Sequence, residues 1–154
     1  MDSLRPTTVA IVDFGLGNLF SVQQACHHVG LQAQVTSDKK EILAADGVIL
    51  PGVGAFGDAM ASLKRLDLIS PLRDIAQSPT PLIGVCLGMQ LFMTEGYEFG
   101  KHLGLGIVKG SVIRFEGSLS DGQPLKVPHI GWNQIHPGKE GWSDSPLEGL
   151  PNGE

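Results

Sequence analysis

The sequence has few charges, no run of basic residues, no long apolar stretch and only two cysteines. Charged side chains make up 18% of the chain and the formal net charge is -5, so no surface patch collects phosphates and nucleic acid is not an expected partner. No apolar run approaches the roughly 20 residues that cross a bilayer, and no membrane association is expected. Residues 1–7 (MDSLRPT) are too short and too polar for a secretory signal. Two cysteines, Cys26 and Cys86, do not make a disulfide scaffold, which leaves free thiols in a reducing cytoplasm as the expectation. His27 and His28 have no further ligands at metal spacing, so no metal and no other cofactor are implied. What remains is a chain of 154 residues, 42% hydrophobic, long enough to bury one core and expected to form a single domain over 1–154.

The order of apolar runs indicates how that core is built. Thr8 to Asp13 is short, apolar and β-branched, and closes on the glycine-rich FGLGN; Leu19, Val22, Ala25, Cys26 and Val29 then recur at helical spacing as far as Gly30. The pattern repeats, with strands over 32–36, 47–50 and 81–85 and helices over 37–45, 58–66 and 69–76. A further helix over 87–96 follows the last of these strands. Alternating strands and helices predict an α/β fold, a mostly parallel sheet flanked by helices with a flavodoxin-like core over 8–95. After Gly96 the pattern changes, because LGLGIVKGSVIRF and VPHIGWNQI suggest strands joined by turns, a strand-rich second part over 103–135. Residues 137–154 are rich in Gly, Pro and Ser without periodicity and are expected to be loop, so the C-terminal strands of the fold are expected to be incomplete.

Two glycine motifs compete for the site. Gly52-Val53-Gly54-Ala55-Phe56-Gly57 matches GxGxxG between a strand and a helix, the dinucleotide-binding pattern. The strand that follows ends at Cys86 where that pattern needs an acid for the ribose. The earlier loop at Gly15 and Gly17 has an acid candidate in Asp38 but Phe20 in place of the third glycine. Glycines that permit a close turn explain both loops better. Gly84-Val85-Cys86-Leu87-Gly88 is more specific: a GxCxG where an apolar strand meets a helix is the cysteine form of the nucleophile elbow, a strained turn that lifts its side chain above the sheet edge. The N–H of Leu87 is then a natural first oxyanion donor, and the neighbouring strand at Gly52 to Gly54 can supply a second. Cys26 lies on the apolar face of the first helix, where core packing accounts for it.

The segments VDFGLGNLFSV, LPGVGAFGDAM, GVCLGMQLF and VPHIGWNQ, in this order and spacing, resemble the glutaminase subunits of imidazole glycerol phosphate synthases. Those are class I (triad) glutamine amidotransferases of histidine biosynthesis. The resemblance implies that Cys86 is the nucleophile that attacks glutamine and releases ammonia, and that Gly52 and Val53 complete the oxyanion hole with Leu87. It implies that Gly54, Gly88 and Gln90 hold the substrate, and that Asn18, Pro128, His129, Trp132 and Asn133 face a partner. That partner is a (β/α)8-barrel cyclase subunit, in a heterodimer that passes ammonia internally; ammonia released into neutral water is mostly protonated and no longer nucleophilic.

The resemblance also implies a His-Pro-Glu segment supplying the general base and its orienting carboxylate, and these 154 residues contain none. His136-Pro137 is followed by Gly138 where the carboxylate would stand. Loss of a triad base costs on the order of a million-fold in turnover, so the expectation is a C-terminally incomplete amidotransferase domain with impaired glutaminase activity, unpaired strand edges and a tendency to aggregate. Two rivals stand beside it: a non-catalytic partner or regulatory module of the synthase, and a cysteine-dependent redox protein or small-molecule hydrolase on a flavodoxin-like sheet.

Overall fold

Thr8–Val12 forms β1, whose alternate residues feed two different cores. Val9 and Ile11 pack with Cys26 and Ala33 on one face. Ala10 and Val12 pack with Phe14, Ile42, Val48 and Leu50 on the other, so a strand buried on both sides reads as a continuous apolar run. The computed structural model describes residues 6–115, 117, 127, 131–138, 141–143, 145 and 147–149. They fall in two units, Met1–Arg114 and Phe115–Glu154.

In the first unit, α1 (Leu19–His28) starts where the Asn18 side chain accepts from Ser21 N and ends before Gly30, at φ +83°. β2 (Gln32–Thr36), α2 (Lys39–Ala44) and β3 (Gly47–Leu50) follow. Asp38 caps α2, its Oδ1 accepting from Lys40 N at 2.8 Å and Glu41 N at 3.1 Å, so the acid that a ribose would need already serves a helix. Next come α3 (Phe56–Arg65), α4 (Ile69–Ala76) and β4 (Leu82–Gly84). The four strands are parallel in the order β2-β1-β3-β4, a doubly wound arrangement of the flavodoxin kind. The face carrying Phe56, Leu63, Leu72 and Leu87 is covered by several helices, whereas among the described residues Cys26 of α1 is the one buried helical residue in the core on the opposite face.

Beyond Cys86 the structure departs from the sequence reading. The expected helix over 87–96 is only α5 (Leu87–Leu91), and β5 (Met93–Gly96) replaces its second half. Returning chain takes the carbonyls that a longer helix would use: Leu105 N donates to Leu91 O (2.8 Å), Ile107 and Val108 N to Phe92 O, and Gly106 N to Met93 O. β6 (His102–Leu103) pairs antiparallel and β7 (Val108–Val112) parallel with β5. These three strands are joined without an intervening helix.

In the second unit the described residues hold a bridge between Gly138 and Gly141 and a turn in which Ser145 N donates to Trp142 O. Of the strand expected over 127–135, residues 127 and 131–135 lie in no ladder, and 128–130 are outside the described residues. No helix among the described residues is long and apolar enough to cross a membrane.

Candidate active site

At the end of β4 the chain turns sharply. Gly84 pairs with Leu50 of β3, Val85 N donates to Leu50 O at 3.0 Å, and Cys86 then takes φ +55°, ψ -115° as α5 begins at Leu87. A residue with a side chain in that region stores about 1–3 kcal/mol of strain. The flanking glycines are obligatory. A Cβ on Gly84 would lie 2.6 Å from Met89 Cα, and one on Gly88 only 1.8 Å from Leu50 O. Packing therefore forces the GxCxG spacing and leaves the Cys86 thiol exposed, while Cys26 is buried. Gln90, one turn on, is half-buried, and its N–H donates to Cys86 O at 3.2 Å.

The loop after β3 supplies a second wall. A Cβ on Gly52 would meet Gly88 N at 3.0 Å and Leu87 Cβ at 3.1 Å, so the Gly52 backbone lies directly against the first turn of α5. Val53 and Gly54 (φ +104°) continue this loop outward and are exposed. Cys86, Leu87, Gly88, Gly52 and Gln90 are thus brought together from three elements at the carboxyl ends of the strands, where parallel sheets place their ligands. Val53 in this loop and Val85 and Met89 on either side of the elbow are about half-exposed. The loop before α1 adjoins the same region, since a Cβ on Gly17 would be 3.5 Å from Pro51.

The sequence reading missed Glu98. Its Oε2 accepts from Phe56 N at 2.9 Å, where α3 has no side-chain cap of its own. No local pattern marks it, because Glu98 and Phe56 are 42 residues apart. Asn18, expected to face a partner, is an exposed helix cap. Trp132 and Asn133, expected to do the same, are exposed residues of the second unit, and Pro128 and His129 lie outside the described residues.

Titration shifts fall away from the elbow. The Lys101 ammonium, with the Tyr97 hydroxyl, holds the Glu95 carboxyl below its usual range, and Glu95 in turn raises Lys101. Among the described residues no group of three His, Cys, Asp or Glu is placed to hold a metal ion. A groove of about 570 Å³ lined by Thr8, His27, Gln32, Thr36, Glu41 and Ala45 runs along β2 and includes no elbow residue. The groove contains no cysteine, and the candidate nucleophile Cys86 lies outside it.

Residues 10–144 match the family model for class I glutamine amidotransferases. The chain is similar to the imidazole glycerol phosphate synthase subunit HisH of Geobacter metallireducens, 48% identical over 83% of this chain and 61% of that protein. It is likewise similar to the subunit HisH of Geobacillus thermodenitrificans, 46% identical over 84% and 61%. The subunit HisH 1 of Legionella pneumophila strain Lens is 42% identical over 94% of this chain and 69% of that protein. The chain thus spans roughly three-fifths to two-thirds of these relatives. A solved glutamine amidotransferase superposes with TM-score 0.58 at 17% identity, covering 67% of this chain and 54% of that one, a likeness of fold. A putative peptidase E protein of Listeria monocytogenes does so with TM-score 0.52 at 14% identity, over 62% and 54%. With the family model matched over most of the chain and the HisH relatives beyond it, this chain belongs to the class I glutamine amidotransferases.

Proposed function

We propose that this chain carries the nucleophile and oxyanion wall of a glutaminase that feeds ammonia to imidazole glycerol phosphate synthesis in histidine biosynthesis. The Cys86 thiolate adds to the side-chain amide carbon of glutamine, and negative charge gathers on the amide oxygen facing the backbone at Leu87 and the Gly52–Val53 peptide. Protonation of the amide nitrogen lets ammonia leave, and water then cleaves the glutamyl thioester to glutamate and free thiol. Gly54, Gly88 and Gln90 hold the rest of the glutamine. The receiving partner is a (β/α)8-barrel cyclase subunit, and Asn18 with the 128–133 segment faces it. The His-Pro-Glu segment that would supply the base and its carboxylate has no counterpart in these 154 residues.

The observation that carries the proposal is the exposed thiol at a positive-φ turn between two sterically required glycines, with Gly52 packed against the following helical turn. The glutamine-shaped electrophile 6-diazo-5-oxo-L-norleucine tests it without needing turnover. It labels Cys86 and not Cys26, glutamine protects, and Cys86→Ala removes the label. Labelling that glutamine does not slow, or that matches the rate for the D-enantiomer, overturns the reading.

A further inference from the structure

We propose that Glu98 is a positioning residue for the oxyanion wall, acting through the first turn of α3; the inference rests on the glutaminase reading above. The loop Pro51–Ala55 is fixed at its front end by β3, where Leu50 O accepts from Val85 N and packs on Gly88. Its rear end enters α3 through Ala55, which has no side-chain oxygen to cap the helix. Glu98 supplies the missing acceptor by taking Phe56 N–H at 2.9 Å.

Two further contacts from the same hairpin converge on that turn. Gly96 lies so close to the Phe56 ring that a Cβ there would come within 2.8 Å of it. The His102 imidazole covers Gly57, where a Cβ would be 2.6 Å from the ring. Between them Phe99, at φ +54° and 89% exposed, reverses the chain just after Glu98. The 96–103 hairpin therefore clamps the start of α3, four residues beyond the Gly52 backbone that touches the elbow. A displacement of about 1 Å in an oxyanion donor is enough to lower a rate by 10²-fold, so a clamp on the rear of the loop bears on chemistry at its front.

The test compares wild type, Glu98→Ala and Glu98→Gln in the full chain by two readouts. Amide exchange of residues 52–58, relative to β1, reads the clamp. Acyl transfer to Cys86 from p-nitrophenyl acetate, in which the thiolate adds to the ester carbonyl and p-nitrophenolate leaves, reads the oxyanion wall. Alkylation by iodoacetamide, a displacement with no oxyanion, normalises for thiol reactivity. In Glu98→Ala, exchange of 52–58 accelerates and acylation falls about tenfold relative to alkylation, while Glu98→Gln, which keeps an acceptor oxygen, restores both to within about twofold. Unchanged exchange in Glu98→Ala overturns the proposal whatever the chemistry does. Faster exchange with unchanged acylation reduces Glu98 to a structural cap and also overturns it. Wild-type acylation no faster than that of a simple thiol, with the exchange response intact, overturns the glutaminase reading and takes the positioning role with it.

Discussion

Cys86 occupies a backbone conformation that suits glycine, and the sheet and helix on either side hold it there. Val85 N is bonded to Leu50 O and Gln90 N to Cys86 O, so the turn cannot relax without breaking the β3–β4 register or the first turn of α5. Replacing Cys86 by glycine should release strain that alanine would retain. Cys86→Gly is therefore expected to be more stable than Cys86→Ala by about 1 kcal/mol in urea unfolding, after allowing for the extra freedom of an unfolded glycine. Equal midpoints for the two variants would mean that the turn is unstrained. The elbow was legible in the sequence because its two glycines are steric necessities at fixed spacing, and the packing of Gly88 on Leu50 O and of Gly84 on Met89 shows why. Glu98 was not, because a carboxylate that caps a helix 42 residues away leaves no local mark.

Among the elements, the parallel layer was read nearly to its boundaries. β2 and β3 fall where β-branched and apolar runs are bounded by Gly, Ser and Asp, and α4 where Ile69, Leu72 and Ile75 recur at helical spacing. The failure lies in 92–96, where nothing local stops the helix; the 105–108 segment does so by taking its carbonyls, a tertiary effect that periodicity cannot register. The hairpin made there carries its own titration. Glu95 accepts from Lys101 Nζ at 2.7 Å, Tyr97 Oη at 2.8 Å and Ser111 Oγ at 3.1 Å. Its carboxyl is lowered, so its contribution to folding is present above the ordinary value of 4.5 and lost as pH falls through the lowered one. Lys101 is raised above its ordinary 10.5, so its part is present below that value and lost as pH rises beyond it. Lys101 is exposed and Glu95 only partly buried, so the effect is small and weakened by salt. Glu95→Gln keeps acceptors for Tyr97 and Ser111 but loses the charge. Its hairpin amides should exchange slightly faster than those of wild type between about pH 5 and 10, with the difference closing in acid. A difference that persists undiminished below the carboxyl's titration would show that the charge plays no part.

Across the whole molecule, coverage of the sheet is uneven. One row of side chains crosses it on the α1 face: Val35, Ile11, Ile49 and Ile83 are paired neighbours on β2, β1, β3 and β4. Ile11 is fully buried, Ile49 partly buried and Ile83 55% exposed, so the cover provided by α1 runs out toward β4. Among the described residues β4 pairs with β3 alone, which leaves its other edge unbonded beside the exposed Ile83 and Val85. An open strand edge next to exposed aliphatic side chains is a template for edge-to-edge association. The 154-residue chain is accordingly expected to aggregate on concentration or mild heating. Ile83→Lys places a charge on that surface without removing a buried contact, so it should shift the urea midpoint by no more than the equivalent of about 0.5 kcal/mol. The same change should lower light scattering at matched concentration severalfold, while Val29→Lys, an exposed substitution just past α1 and away from this edge, should not. If Ile83→Lys and Val29→Lys suppress scattering equally, net charge is responsible and the β4 edge is not the sticking point; if neither does, association arises elsewhere on the chain.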